Sequence, residues 1–313
     1  MNKKILVKKL FEDNKNELSL SVLTKPDTLN NIIETQYLHK PGLALSGYLE
    51  HFAYKRIQIL GETEISYLQN FSEDEIYEKI KTVFEFDIPC LIVSKGLSIP
   101  YQIEFLANDL NIAVLSSRLS TDKLYRSLEK YLDYSFAPEK IMHATMVDVF
   151  GVGILITGKS GIGKSECALD LVERGHRLIA DDLVKIKLQD DKLTGTLSRE
   201  IGHFLEVRGV GIVDIQKMFG IQAVGLNKTI ETEVVLMPWH ENLDYERVGQ
   251  KNNYSSYFEK NIPLINLPVS PGKNVSVIIE VIALNHILKT FGYNSAEVFM
   301  RRLEEATQKG NIN

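Results

Sequence analysis

One motif constrains the fold of this chain more than any other feature of its sequence. The pattern G-x-x-x-x-G-K-[ST] is matched by Gly158, Lys159, Ser160, Gly161, Ile162, Gly163, Lys164 and Ser165. A short apolar run at residues 154–157 precedes the motif, and residues 164–174 have a helical pattern that Gly175 can close. A strand, a glycine-rich loop and a helix in this order predict a P-loop, the name used below for residues 158–165.

Each part of the P-loop has a physical role in binding phosphate. Glycines let backbone N–H groups turn towards phosphate oxygens, because a Cβ atom would block that approach. The first turn of the following helix adds a partial positive charge. Lys164 can reach the outer phosphates, and the Ser165 hydroxyl can bind Mg²⁺. The sequence therefore predicts a phosphate-binding loop, with a ligand-free glycine-rich turn as the alternative.

Two adjacent carboxylates follow the next apolar segment of the chain. Residues 178–180 are apolar and lead into Asp181 and Asp182. This pattern predicts a strand beside the P-loop strand, with a carboxylate at its tip that can hold Mg²⁺. Because side chains alternate along a strand, one carboxylate could face the metal and the other the phosphoryl acceptor. A solvated strand end would give the same pattern.

Other candidate site residues have less specific surroundings. His143 precedes an apolar hairpin, Glu206 and Arg208 lie among apolar residues and glycines, and Arg247 lies in a polar loop. Ordinary structural or surface positions would explain these four residues as well. Residues 268–273 form a proline-bounded turn before a long predicted helix. That turn either starts the helix or offers its free backbone N–H groups to an anion.

Composition excludes several classes of protein. The chain has 36 basic and 41 acidic side chains and therefore a net charge of −5. Residues 1–140 contain 17 of the basic and 20 of the acidic side chains, and the rest of the chain contains the others. Neither part has the basic excess that nucleic-acid binding needs. Two cysteines, Cys90 and Cys167, exclude a disulfide scaffold and a cysteine-built zinc site. Residues 1–17 lack the apolar stretch of a signal peptide, and no apolar run reaches the roughly 18 residues of a membrane span. We therefore expect a cytoplasmic protein that binds neither nucleic acid nor membrane.

The length of 313 residues predicts two domains. In the first domain, predicted strands cover residues 18–23, 57–60, 88–94 and 112–115. One predicted helix begins at a capping box at residues 72–75, and two more cover residues 100–110 and 121–132. This alternation predicts a small α/β domain around a mainly parallel sheet. The segment SFAPEK at residues 135–140 breaks the helical pattern. We place the N-terminal α/β domain at residues 1–135 and the P-loop catalytic domain at residues 136–313.

Five stretches, in this order and spacing, carry a family resemblance: residues 143–151, 158–165, 177–182, 205–214 and 268–274. Together they resemble the HPr kinase/phosphorylase family of bacterial carbon catabolite repression, most strongly over residues 141–292. The resemblance implies a C-terminal P-loop kinase domain similar to that of phosphoenolpyruvate carboxykinases. It also implies an N-terminal domain like a ligand-binding domain of the Mur ligases, with a regulatory or ligand-binding role.

The resemblance further implies an activity and its partners. Family members phosphorylate a serine of the phosphocarrier protein HPr with ATP or pyrophosphate and Mg²⁺, and they remove that phosphate by phosphorolysis with inorganic phosphate. They assemble as homo-hexamers, and fructose 1,6-bisphosphate stimulates the kinase direction.

Several residues match the family's nucleotide and metal positions. Residues 158–165 match the nucleotide-binding loop, in which Lys164 neutralises the transferring phosphoryl group. Ser165 and Glu206 match the Mg²⁺ ligands. Residues 205–214 match a segment that is important to both activities.

The remaining matches concern proton transfer and phosphorolysis. Asp182 matches the general base of the forward reaction and the general acid of the reverse one. His143 and Arg247 match further active-site positions. Residues 268–273 match a segment tied mainly to phosphorolysis, although the family commonly has arginine at its third position, where this chain has Ser270.

Two other functions fit part of the pattern. A P-loop kinase of a small molecule would share Lys164, Ser165 and Asp182, but it should add a lid with several arginines, and we find only Arg199 and Arg208 as candidates. A nucleotide-binding sensor without phosphotransfer is the second alternative. A GTPase switch of that kind should carry an N-K-x-D motif, which this sequence lacks.

Overall fold

The chain folds into two compact units, Met1–Ala137 and Pro138–Asn313, which we call the N-terminal and C-terminal units. A computed structural model describes residues 3–198, 202–239, 253–270 and 272–310. The division lies two residues beyond the boundary that the sequence suggests, because the last helix of the first unit continues to Phe136. Proline disfavours helical backbone in the residue before it, and Ala137 is accordingly extended, with φ −51° and ψ 137°.

The N-terminal unit is a small α/β fold. Its strands are β1 (Ile5–Leu6), β2 (Leu20–Val22), β3 (Ile32–Ile33), β4 (Leu38–His39), β5 (Ile57–Leu60), β6 (Cys90–Val93) and β7 (Ala113–Ser117). Its helices are α1 (Val7–Asn14), α2 (Gly42–Leu45), α3 (Glu62–Leu68), α4 (Glu73–Phe84), α5 (Tyr101–Asp109) and α6 (Thr121–Phe136). The main sheet has the order β2-β7-β6-β5-β4, in which β4 to β7 are parallel and β2 is an antiparallel edge. The mainly parallel sheet agrees with the prediction.

Helix α4 shows how local sequence specifies an element of this unit. Glu75 N donates a hydrogen bond to Ser72 Oγ, and Glu75 Oε2 accepts one from Ser72 N at 2.9 Å. This capping box satisfies backbone N–H groups that have no partner within the helix. The helix then buries Ile76, Ile80 and Phe84 on one face. The predicted helix start is confirmed.

The described residues of the C-terminal unit form three sheets. Its strands are β8 (Glu139–His143), β9 (Thr145–Val149), β10 (Val152–Gly158), β11 (Arg177–Ala180), β12 (Leu183–Gln189), β13 (Lys192–Leu197), β14 (Phe204–Val207), β15 (Gly211–Asp214), β16 (Asn227–Thr229), β17 (Thr232–Pro238), β18 (Asn253–Tyr257) and β19 (Lys260–Val269). Its helices are α7 (Lys164–Glu173), α8 (Ile215–Phe219), α9 (Val275–Thr290) and α10 (Ser295–Gly310). The sheet orders are β11-β9-β10-β17-β19-β18, β16-β13-β12-β8 and β14-β15.

The strand that leads into the two carboxylates does not lie beside the P-loop strand, so that prediction is wrong. A tight turn at Phe150 and Gly151, with φ of 53° and 85°, folds β9 back along β10. Two residues with positive φ suit the twist of a two-residue hairpin. Because β9 and the parallel strand β17 occupy both edges of β10, β11 pairs with β9 instead.

Strand β10 is buried on both faces. Ile154 and Ile156 lie in the core that includes residues of α7 and α9, and Leu155 lies in a second core on the opposite side of the strand. Cys167 packs in the helix-side core, and burial raises the pKa of its thiol to about 11. The strand that carries the P-loop is therefore held from both sides.

Among the described residues, no single helix is long and apolar enough to cross a membrane. The pair α9 and α10, taken together, has the required length and composition, but it is bent by 77°.

A partly exposed ion pair joins the end of α7 to α9 and makes a test of stability possible. Arg174 Nε and Nη2 donate to the Glu280 carboxylate at 3.0 and 2.7 Å, and His176 Nε2 lies 2.9 Å from Glu280 Oε1. The hydrogen bonds from Arg174 and then His176 lower the pKa of Glu280 to about 2. A carboxyl group with a depressed pKa stabilises the fold above its unfolded pKa, and this contribution is lost as the pH falls through the folded value.

We therefore expect Glu280→Gln to lower the free energy of unfolding at pH 7 by about 1–3 kcal/mol, because charge-assisted hydrogen bonds are lost. The difference between variant and wild type should shrink as the pH falls from about 4.5 towards about 2. Urea denaturation at a series of pH values measures it. Equal midpoints at pH 7 would contradict a stabilising role for this carboxylate.

Candidate active site

The P-loop lies between the end of β10 and the start of α7. Gly163, with φ 103°, is the residue before the helix. A Cβ atom on Gly158 would lie 2.4 Å from the Leu236 carbonyl oxygen on β17. A Cβ atom on Gly161 would lie 2.5 Å from Arg208 Nη2. A side chain at position 158 would clash with backbone, whereas at position 161 the arginine could shift and it is the φ of 80° that favours glycine. The loop backbone therefore approaches both its neighbouring strand and a guanidinium group.

The Lys164 side chain folds over the carbonyl groups of its own loop. Its Nζ donates to Gly158 O at 3.1 Å and to Lys159 O at 3.2 Å. Both acceptors are neutral, and a phosphate oxygen would be a stronger, charged acceptor for the same ammonium group. The lysine is therefore placed at the loop where a phosphate would bind.

Ser165 is hydrogen-bonded to Asp181. Ser165 Oγ donates to Asp181 Oδ2 at 2.8 Å, and Thr145 Oγ1 donates to Asp181 Oδ1 at 2.5 Å. Thr145 is fully buried on β9, so its hydroxyl fixes one oxygen of a half-buried carboxylate. Neighbouring hydroxyl and carboxylate oxygens are the kind of ligand that Mg²⁺ prefers.

Asp182 points away from this group and contacts His143 instead. His143 Nδ1 lies 3.2 Å from Asp182 Oδ1, and both side chains are more than three-quarters exposed. The backbone turns sharply here, because Leu183 N donates to Asp181 O at 2.8 Å and Asp182 has φ 63°. A three-residue turn with positive φ is rare and strained for a residue other than glycine. The turn directs Asp181 to the P-loop serine and leaves Asp182 open to solvent.

The hairpin of β14 and β15 brings Arg208 to the P-loop. Leu205 packs in the helix-side core, and the Arg208 guanidinium lies against Gly161. Glu206 is exposed on β14 and makes no hydrogen bond or ion pair within the part of the chain that the structure describes. The described residues contain no group of three or more histidine, cysteine, aspartate or glutamate side chains that could hold a metal ion.

Arg199 and Arg247, two candidates from the sequence, lie outside the described residues, as does Pro271 within the turn at residues 268–273. The described part of the turn before α9 is anchored by Lys273, whose Nζ donates to Pro268 O at 3.2 Å. Asn274 Oδ1 accepts a hydrogen bond from Val277 N at 3.1 Å and so caps α9. The predicted start of the long helix is confirmed.

A buried carboxylate beneath the loop escaped the sequence analysis. Glu233 on β17 is 6% exposed and accepts hydrogen bonds from Thr157 Oγ1 at 2.7 Å and Tyr257 Oη at 2.8 Å. Burial, followed by the charge of Glu233, raises the pKa of Tyr257. This network fixes the residue that immediately precedes the P-loop. An acidic residue in an otherwise apolar strand was its only sequence signal.

Two family models match the two units of the chain. The HPr Serine kinase N terminus matches residues 5–132, and the HPr Serine kinase C-terminal domain matches residues 134–303.

Relatives that match nearly the whole length of the chain support the same family, and one solved structure is reported beside them. An HPr kinase/phosphorylase of Thermoanaerobacter sp. is 39% identical over 301 residues, which cover 96% of this chain and 97% of the relative. The HPr kinase/phosphorylase of Prosthecochloris aestuarii is 40% identical over 290 residues, covering 92% and 85% of the two chains. The structure of the Hpr(Ser) kinase/phosphatase from Coxiella burnetii is 32% identical in sequence, with a TM-score of 0.46, and covers 51% of this chain and 98% of that one. With both family models matched and relatives of about 40% identity over nearly its full length, the chain belongs to the HPr serine kinase family.

Proposed function

We propose that this chain phosphorylates a serine of the phosphocarrier protein HPr, using ATP or pyrophosphate, and removes that phosphate by phosphorolysis with inorganic phosphate. The names of its relatives support this function. The observation that carries it is the separation of two adjacent carboxylates, with Asp181 on the P-loop serine and Asp182 facing solvent beside His143. One carboxylate is thus placed beside the phosphate-binding loop, and the other can meet a hydroxyl that arrives from outside.

The residues at the P-loop suit a nucleotide or pyrophosphate with Mg²⁺. The loop N–H groups and the first turn of α7 would surround the phosphates, and Lys164 would exchange its carbonyl partners for phosphate oxygens. The oxygens of Ser165 and Asp181 would hold Mg²⁺, with Glu206 as the further ligand that the family motif implies. Bound Mg²⁺ supplies stabilisation of negative charge on the phosphate oxygens.

Asp182 would move the proton in both directions. In the forward reaction its carboxylate accepts the seryl proton, and in the reverse reaction the protonated group returns that proton to the leaving seryl oxygen. In the tautomer with a proton on Nδ1, His143 would donate to the carboxylate and orient it. Arg208 supplies a positive charge at the loop, and Arg247 is proposed as a further active-site residue from its motif position.

We expect Mg²⁺ binding and kinase activity to depend on the Thr145 hydroxyl, because it donates a hydrogen bond to Asp181. Replacing Thr145 with Val keeps the shape of the side chain but removes the donor to Asp181 Oδ1. We expect the loss of a side chain that hydrogen-bonds to a metal ligand to lower Mg²⁺ affinity or activity by about 10–100-fold. The kinase rate as a function of Mg²⁺ concentration measures the effect, and Thr145→Ser, which keeps the hydroxyl, is the matched control. An unchanged Mg²⁺ dependence in Thr145→Val would show that the hydrogen bond has no positioning role.

The turn at residues 268–273 is proposed to serve phosphorolysis more than kinase activity. Lys273 keeps a positive charge in this turn, close to the start of α9. We expect Lys273→Ala to lower the rate of phosphorolysis more than the rate of phosphorylation, because the turn can bind inorganic phosphate. Both rates are measured with the same protein, with Lys289→Ala at the other end of α9 as the control. Equal losses in the two directions would count against a selective role.

The family resemblance extends the proposal to assembly, regulation and location. We include a homo-hexamer, stimulation by fructose 1,6-bisphosphate and a cytoplasmic location. Exposed apolar side chains on α9, namely Val281, Leu284 and Leu288, support an assembly surface. Analytical ultracentrifugation tests the hexamer, and kinase assays with and without the sugar phosphate test the regulation.

The experiment that tests the proposed function is incubation of the protein with labelled ATP and HPr. A serine kinase gives a labelled HPr whose phosphate survives acid, because phosphoserine is stable there and phosphohistidine is not. HPr with its target serine replaced by alanine is the control. A kinase of small molecules, or a sensor without phosphotransfer, would leave HPr unlabelled.

A further inference from the structure

A concave patch in the N-terminal unit gathers basic side chains that the proposed activity does not use. The cavity has a volume of about 430 Å³ and is lined by Leu38, His39, Lys40, Arg56, Asp122, Tyr125 and Arg126. We call it the basic pocket. Its lining comes from the end of β4, the start of β5 and the first two turns of α6. Its volume is in the range of pockets that hold small molecules.

The charges in the basic pocket are unbalanced. Lys40, Arg56 and Arg126 line it, and among the described residues none of these three has a carboxylate within ion-pair distance. Asp122 is the one acidic residue of the lining, so the formal charge of the pocket is +2 with neutral histidine. The surrounding sequence is acidic overall, with 20 acidic and 17 basic residues at positions 1–140. Unpaired cations around a cavity in an acidic domain create a local field that attracts anions.

Two side chains of the basic pocket are held before any ligand arrives. The Arg56 guanidinium lies over the Tyr37 ring at 5.2 Å, which fixes its orientation. The His39 ring packs against Phe52 with centroids 5.8 Å apart. Burial, followed by the positive charge of Arg56, lowers the pKa of His39, so at neutral pH its uncharged ring can donate one N–H. A fixed guanidinium and a ring N–H are donors that suit phosphate oxygens.

We propose that the basic pocket binds a small phosphorylated molecule. Arg56, Lys40 and Arg126 would hold the phosphate group, and the Tyr125 hydroxyl and Asp122 carboxylate could bond to hydroxyl groups on the rest of the molecule. The cavity is larger than a single phosphate ion, which leaves room for a carbon skeleton. All residues of this binding site belong to the N-terminal unit.

The test uses the full-length protein with glycerol 3-phosphate as the probe and glycerol at equal ionic strength as the neutral control. Hydrogen-exchange mass spectrometry should show protection of the segments that contain residues 38–40, 56 and 122–126, with half-saturation at or below about 1 mM. The double variant Arg56→Gln/Arg126→Gln should weaken this protection at least about tenfold. Lys123→Gln, an exposed change on the same helix, removes one charge outside the pocket and should leave it unchanged.

Three results would overturn the proposal. The first is no protection of these segments by glycerol 3-phosphate at 20 mM, taken as about twenty times the expected half-saturation. The second is protection confined to residues 158–165, which would assign phosphate binding to the P-loop only. The third is equal protection in wild type and in the double variant, with circular dichroism confirming that both are folded. Kinase activity towards HPr is measured in parallel, and its absence would contradict the proposed function without bearing on this pocket.

Discussion

Lys164→Ala and Ser165→Ala should each abolish detectable kinase activity without unfolding the protein. The Lys164 ammonium bonds only to carbonyl groups of its own loop, and the Ser165 hydroxyl bonds to Asp181 at the loop's edge, so neither side chain supports the core. Both groups are placed where phosphate and Mg²⁺ charge would be stabilised. Loss of one such group typically costs about 10²–10³-fold in rate.

The measurement is the initial rate of HPr phosphorylation at matched circular dichroism and thermal midpoint. Lys217→Ala, which removes a largely exposed lysine elsewhere in the same unit, is the control and should keep wild-type activity. Near-normal phosphorylation by Lys164→Ala or Ser165→Ala would contradict the catalytic role of this loop.

Asp182→Asn should lower phosphorylation and phosphorolysis together, by roughly 10²–10⁴-fold. A seryl hydroxyl is not ionised at neutral pH, so an acceptor must take its proton as the bond to phosphorus forms. In the reverse direction the seryl oxygen leaves more readily when it is protonated. Microscopic reversibility requires the same group for both steps, and an amide can neither accept nor donate that proton effectively. Nucleotide binding should survive, because Asp182 faces away from the P-loop serine.

We expect Asp182→Asn to leave the fold unchanged, because asparagine has the shape of aspartate and suits the same backbone conformation. The Asp182 side chain is 77% exposed, and asparagine tolerates the positive φ of 63° at this position. Forward and reverse rates and nucleotide affinity should therefore be measured on the same preparation. Loss of one activity alone, or loss of nucleotide binding, would indicate that Asp182 is a metal ligand and not a shared acid and base.

Local sequence was sufficient to predict the elements that form the centre of the site. The P-loop, the strand before it and helix α7 follow from consecutive residues, because glycine spacing and helix capping act over one or two turns. The turn at Phe150 and Gly151 is local as well, and the predicted hairpin is present as β9 and β10. The position of β11 was not predictable in the same way, since it depends on which edge that hairpin leaves free.

Contacts between distant residues could not be predicted from sequence. Thr145 and Asp181 are 36 residues apart, and Thr157 and Glu233 are 76 residues apart, so neither hydrogen bond has a local pattern. The sequence marked Asp181 and Asp182 as a pair but could not assign the direction of each side chain. That direction is set by the positive φ of Asp182, an uncommon conformation for a residue other than glycine that no pattern in the surrounding sequence indicates.

The central claim is that one site both adds and removes the phosphate on HPr, and the formation of pyrophosphate tests it most directly. HPr phosphorylated on its serine is incubated with the protein and labelled inorganic phosphate, and the products are separated. We expect labelled pyrophosphate in amounts equal to the dephosphorylated HPr, and a rate of its formation that is roughly 10²–10⁴-fold lower for Asp182→Asn. Release of inorganic phosphate without pyrophosphate, or undiminished pyrophosphate formation by Asp182→Asn, would contradict it.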